Sequence, residues 1–162
     1  MTKNKRQEFE GKKESALQAD SSYGASRCIA PAAYDTISAF FRDTETQPSD
    51  YDLILTGDLA SVGKSILLDA FEKDGIDLSP NYEDCGCMIY DPEKQDVHAG
   101  GSGCGCSASV LCGHILNGMR EGRWNHILFC ATGALMSPLA LQQGESIPAI
   151  CHLVEIENGG RA

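Results

Sequence analysis

The chain has 162 residues, enough for one buried core, and its 42% hydrophobic and 22% charged residues are ordinary for a globular domain. A formal net charge of −10 disfavours nonspecific binding to nucleic acid or to an anionic membrane face, and the dense basic stretch from Lys3 to Lys13 is interleaved with acids such as Glu8 and Glu10. No apolar run approaches the ~18 residues of a membrane-spanning helix, and MTKNKRQEFE leads into no apolar signal segment, so the eight cysteines are expected as thiols in a reducing, cytoplasmic setting.

Residues 1–23 read as a polar, flexible arm, because they lack sustained apolar periodicity. Pro31 to Arg42 places Ala33, Ile37, Phe40 and Phe41 on one helical face, with Pro31 near the first turn. Thr44 to Ser49 is a polar loop, and Tyr51 to Thr56 (YDLILT) suits a buried strand. Ser61 to Lys73 reads as a helix with Ile66, Leu67, Ala70 and Phe71 inward and Asp74-Gly75 as its stop. Cys85 to Tyr90 is a further strand candidate, ended by Asp91-Pro92. A glycine-rich loop, Gly100 to Gly105, opens a helix over Cys106 to Arg120 that carries Val110, Leu111, His114, Ile115 and Met119 at helical spacing, with Gly122 at its end. On that helix His114 reads as a packed core residue. Asn125 to Thr132 and Ala149 to Glu157 are buried strands, with no helix expected between them in Gly133 to Pro148, which opens the way to antiparallel pairing. Strands alternating with helices predict an α/β fold, a mixed and mainly parallel sheet with helices on both faces. The folded body spans residues 24–158, with a short tail over 159–162.

The chemistry concentrates in HAGGSGCGCSAS, His98 to Ser109. Its glycines permit close backbone approach and positive φ, and the following helix start offers free N–H groups and a positive dipole end suited to a carboxylate or phosphate. His98, Gly103, Cys104, Gly105, Cys106 and Ser107 are the candidate ligand-binding residues, with Ser102 and Ser109 as further hydroxyl donors. The same glycines also suit a tight turn that only packs helix on sheet. Cys85/Cys87 and Cys104/Cys106 are C-x-C pairs, whereas structural zinc sites use C-x₂₋₄-C, so no metal is expected there and the thiols read as small apolar residues. GDLASVGKS (Gly57 to Ser65) imitates a phosphate loop but has one residue too many before its GKS, so its amides would be misplaced for a nucleotide; Asp58 reads as a cap or loop acceptor and Lys64 as a solvated helix residue.

Four runs carry a resemblance: YDLILTGDLASVGKSILLDAF, DCGCMIYDPEKQDVHAGGSGCGCSASVLCG, LFCATGALMSP and QQGESIPAICHLVEIE. Together they resemble the C-terminal half of the stage V sporulation protein AD family, in the family's order and near its spacing. That family is about twice this length and resembles thiolases and ketoacyl synthases, whose fold packs two similar βαβαβαββ halves in five layers. The resemblance implies a thiolase-like half-fold. Such a half exposes an apolar face, to be covered by an N-terminal half or by a second copy in a homodimer, unless it is poorly soluble. It also implies loss of catalysis. The thiolase-type histidine and asparagine positions fall at Gly57 and Cys104, and the nucleophile belongs to the other half. A residual acyltransferase would have to use Asp58, His98 or Cys104 instead. The expected ligand is dipicolinic acid (pyridine-2,6-dicarboxylate), with a role in its uptake into the developing spore and in germination. The expected partners are membrane proteins of the same sporulation locus, which would hold the chain peripherally at the inner spore membrane. No cofactor is expected.

Overall fold

The computed structural model describes residues 9–10, 24–103, 105–134, 137–144 and 148–159. In chain order the elements are β1 (Phe9–Glu10), α1 (Gly24–Thr44), a 3₁₀ turn (Pro48–Asp50), β2 (Leu53–Thr56), α2 (Ala60–Lys73), β3 (Tyr82–Asp84) and α3 (Cys85–Met88). There follow α4 (Cys106–Val110), a π turn (Leu111–Ile115), α5 (Leu116–Arg120), β4 (His126–Ala134), α6 (Pro138–Gln143) and β5 (Ala149–Glu157).

The strands form one sheet in the order β1-β5-β4-β2-β3. β2 lies parallel to both β3 and β4, while β5 runs antiparallel to β4 and β1 antiparallel to β5. The α/β class and the mixed sheet are as expected. All four residues of β2 are buried, as fits a central parallel strand covered on both faces. Ile54, Tyr82, Leu128, Cys130 and Leu153 meet α1 and α2 on one side. Leu53, Leu55, Ile127 and Phe129 meet Cys85, Cys106, Val110, Ile115 and Met119 on the other. α2 reaches its layer through Gly63, Leu67 and Phe71, all buried at helical spacing.

Both expected helix stops are built from glycine. Past α2, Gly75 (φ +77) donates to the Glu72 carbonyl at 2.9 Å and Ile76 to Phe71 at 2.9 Å. Past α5, Gly122 (φ +78) donates to Met119 at 3.0 Å and Arg123 to Gly118 at 2.8 Å. These paired bonds are Schellman motifs, which satisfy the last carbonyls and need a left-handed residue.

Four expectations are corrected. Pro31 lies inside α1 rather than at its first turn, because the helix starts earlier, at Gly24; the helix therefore continues past a residue that lacks an amide hydrogen. The strand placed at Cys85 to Tyr90 ends where that span begins: β3 is Tyr82–Asp84, and Cys85–Met88 is helical. Asp84 causes the switch, its side chain capping α3 by accepting from the Gly86 amide at 2.9 Å. The connection from β4 to β5 contains the short helix α6. Finally, the helical run from Cys106 to Arg120 passes through a π turn containing Gly113 and His114. This leaves His114 exposed, with its ring edge against Trp124 at a centroid distance of 5.7 Å, rather than in the core. Among the described residues, no helix is long and apolar enough to cross a membrane.

Candidate ligand site at the glycine-rich loop

The carboxyl ends of β2 and β3 carry the site, since the helices that follow these strands pass to opposite faces of the sheet. In open α/β sheets such a divergence leaves a crevice beyond the strand ends. Its platform is the fully buried Asp84. One carboxylate oxygen accepts from the Thr56 hydroxyl at 2.7 Å and the Leu59 amide at 2.9 Å; the other accepts from the amides of Ala60 at 2.8 Å and Gly86 at 2.9 Å. Tyr82 completes the group through a 2.8 Å contact of its hydroxyl with that of Thr56. Burial pushes the Asp84 carboxyl above the usual aspartate range, against the pull of these four donors. Ala60 is held at φ +55, an uncommon value for a residue with a side chain.

This knot disposes of the phosphate-loop imitation in physical terms. The Leu59 and Ala60 amides point at an internal carboxylate, and the Ser61 amide is held by the Ala99 carbonyl at 2.9 Å. Lys64 does not reach toward a phosphate; it pairs with Glu83 at 2.7 Å and is only 24% exposed.

The glycine-rich loop divides into two parts. Its first part is packed backbone on backbone. Gly101 donates to the Gly86 carbonyl at 2.7 Å. A Cβ on Gly86 would fall 2.4 Å from the Gly101 oxygen, and one on Gly100 (φ +121) 2.5 Å from the Gly86 oxygen. Here the tight-turn reading holds. The second part is open: a Cβ on Gly103 or Gly105 would meet nothing within 4 Å.

Below this open segment lies a polar cluster. Asp58 accepts from the Gly103 amide at 3.2 Å and faces the Ser102 hydroxyl at 3.4 Å through one oxygen, and accepts from the Thr132 hydroxyl at 2.8 Å through the other. The Asp58 amide donates back to Thr132 Oγ1 at 2.9 Å. The Cys106 amide closes a turn on the Gly103 carbonyl at 3.0 Å. Gly57 is buried beside them: a Cβ there would stand 2.6 Å from Thr132 Oγ1, 2.9 Å from the Thr132 nitrogen and 3.4 Å from Ser107 Cβ. The loop segment, the strand end and the helix start thus converge at Gly57, Asp58, Gly103, Ser107 and Thr132.

Of the candidate ligand-binding residues, Gly103, Gly105 and Ser107 border this opening. His98 is turned toward Asp96, at 3.5 Å, with its ring 86% exposed. Cys106 points inward to the core below the sheet, where burial raises its thiol pKa. Cys104 lies outside the described residues. Thr132 and the central position of Asp58 were missed from sequence, because β4 brings Thr132 to Asp58 across 74 positions and no local spacing records that approach. Cys85, Cys87, Cys106, Cys112, Cys130 and Cys151 are free thiols, and burial suppresses the thiolate at two more of them: Cys87 is pushed up to about 11 and Cys85 further still. A separate surface cavity of about 290 Å³ lies along the outer side of the helix start, between Met88, Ile89, Val110 and His114.

The comparisons with known proteins follow this geometry. Residues 12–157 match the family model described as stage V sporulation protein AD. The chain is 50% identical over 134 residues to stage V sporulation protein AD of Bacillus subtilis (strain 168). The match covers 83% of this chain but 39% of that protein, so the chain spans about two fifths of the relative's length.

Proposed function

Because this chain belongs to the stage V sporulation protein AD family, we propose that it is a binding module for dipicolinic acid, supporting uptake of that dicarboxylate during spore formation, rather than an acyltransferase. The open backbone over Gly103 and Gly105, at the start of the helix and beyond the carboxyl end of β2, carries this reading. A planar dicarboxylate can approach the backbone at Gly103 and Gly105, and one carboxylate can take amide and hydroxyl donors at the helix start, Ser107 among them. The closed position of Gly57 supports the non-catalytic half of the reading. The resemblance would put a histidine there, and no side chain fits. The suppressed thiolates of Cys85 and Cys87 add to this, since a thioester-forming cysteine needs a low pKa.

β5 leaves Ile150 and Val154 exposed on the face away from α1. We assign that face to the N-terminal half that the resemblance implies, the Bacillus subtilis relative being longer than this match, and attachment to the inner spore membrane to partner membrane proteins.

Calorimetry with dipicolinate tests the binding, on the chain alone and mixed with the N-terminal portion of the relative. Gly105→Val is the informative variant. Gly105 has φ −94 and open space around its Cβ, so valine is tolerated by the fold yet fills the approach to the loop. The expected result is an unchanged melting temperature with affinity at least tenfold weaker. Equal affinity in wild type and variant, or acylation of a cysteine by a thioester, contradicts the reading.

A further inference from the structure

About six residues up β4 from Thr132, roughly 20 Å at the rise of a strand, the sheet ends in a second group of polar side chains. His126 opens β4 and lies directly opposite Glu157 of β5, with Glu155 two residues away on the same face. Further along that face β5 carries Cys151 and Leu153, both buried in the core under α1. The apolar stripe therefore gives way to two carboxylates where the core ends. His126 Nε2 is 2.6 Å from Glu155 Oε1 and 3.5 Å from Glu157 Oε1, and the three ligand atoms all lie within 4.8 Å of one another.

A separate segment fixes the imidazole. His126 Nδ1 is 3.1 Å from the Asp50 carbonyl oxygen, which can only accept, so Nδ1 bears the hydrogen. The Tyr51 ring packs against the imidazole at 4.5 Å between centroids. In a neutral imidazole Nε2 is then a lone pair directed at two carboxylates, which calls for a positive species between them. Among the described residues, neither glutamate has a lysine or arginine partner. A histidine whose other nitrogen is tied to a backbone carbonyl is the usual arrangement of a metal ligand.

We propose that His126, Glu155 and Glu157 form a divalent-cation site, with zinc as the best-matched ion, independent of the dicarboxylate site. One imidazole and two carboxylates are a zinc ligand set that leaves a fourth position for water. Two carboxylates and Zn²⁺ also sum to neutrality. Tetrahedral zinc sets its ligand atoms about 3.3 Å apart, so small rotations of the exposed Glu155 and Glu157 side chains, 43% and 68% accessible, complete the geometry. The competing arrangement is a second proton on His126, giving an ion pair alone.

Calorimetry with Zn²⁺, and absorption spectroscopy with Co²⁺ in its place, separate the two. The wild-type chain is expected to bind one ion at this group with micromolar affinity, its cobalt spectrum lacking a thiolate charge-transfer band. His126→Ala should weaken that binding at least tenfold, and Glu157→Gln several-fold. Because Glu157 is largely exposed, its variant also serves as the control that the fold is intact, read from the melting temperature. Absence of binding at 100-fold excess over protein, equal binding by His126→Ala and wild type, or a spectrum from cysteine thiolates alone would overturn the assignment.

Discussion

Asp84→Ala is expected to cost about 3–4 kcal/mol of stability, on the order of 10 °C in melting temperature for a chain of this size. The carboxylate is fully buried and takes bonds from three backbone amides and the Thr56 hydroxyl. Alanine leaves these donors without an acceptor and out of reach of water. The individual penalties are not additive, since Thr56 can turn its hydroxyl toward Tyr82, but the Leu59, Ala60 and Gly86 amides have no such freedom. Asp84→Asn should fall between wild type and alanine, because its amide group must face at least one of those three backbone donors. Thermal and urea unfolding check the order. An alanine variant within 1 kcal/mol of wild type would show that the knot contributes nothing. The same variants should loosen the glycine-rich loop, since Gly86 is the point on which Gly100 and Gly101 rest.

Gly57→His, which places a histidine where the proposed resemblance to thiolases would have one, is expected to destabilise the protein by about 1–3 kcal/mol or more and to confer no thioester turnover. The collision is with the Thr132 nitrogen at 2.9 Å as well as with its hydroxyl at 2.6 Å. A rotamer change can move the hydroxyl; only displacement of β4 can move the nitrogen. Thr132→Ala in the same chain should therefore recover part of the loss but not all of it. Full stability in the single variant, or turnover in either, would mean that the strand end retains room for a catalytic side chain. Unfolding curves together with a thiol-release assay give both readouts.

Much of this architecture was legible in the residues themselves. YDLILT, NHILFCAT and AICHLVEIE read as strands by composition and correspond to β2, β4 and β5, and Asp74-Gly75 and Gly122 mark helix ends because glycine alone takes the left-handed turn there at no steric cost. What escaped was set by tertiary contacts. Cys85–Met88 has the look of a strand, yet the capping carboxylate of Asp84 and the need for Gly86 to lie against the Gly101 carbonyl make it a helical turn. His114 has helical spacing, yet the π turn leaves it outside. At the site, the glycines were legible but their division was not: Gly100 and Gly101 serve packing, Gly103 and Gly105 face open space, and only their neighbours decide which. The pairing of His126 with Glu155 and Glu157 likewise depends on strand register. Its trace in sequence is the alternation of acids in VEIE, at the end of a run read as a buried strand, whereas β5 is buried only at Cys151 and Leu153.

An amide-resolved NMR titration of the chain with dipicolinate addresses the binding claim residue by residue. Saturable shifts are expected for Gly103, Gly105, Ser107 and Thr132, leaving His126 and Glu155 unmoved. If those four amides stayed still while the ligand bound elsewhere, or if nothing moved at saturating ligand with the N-terminal portion present, the loop would not be the place where the acid is held.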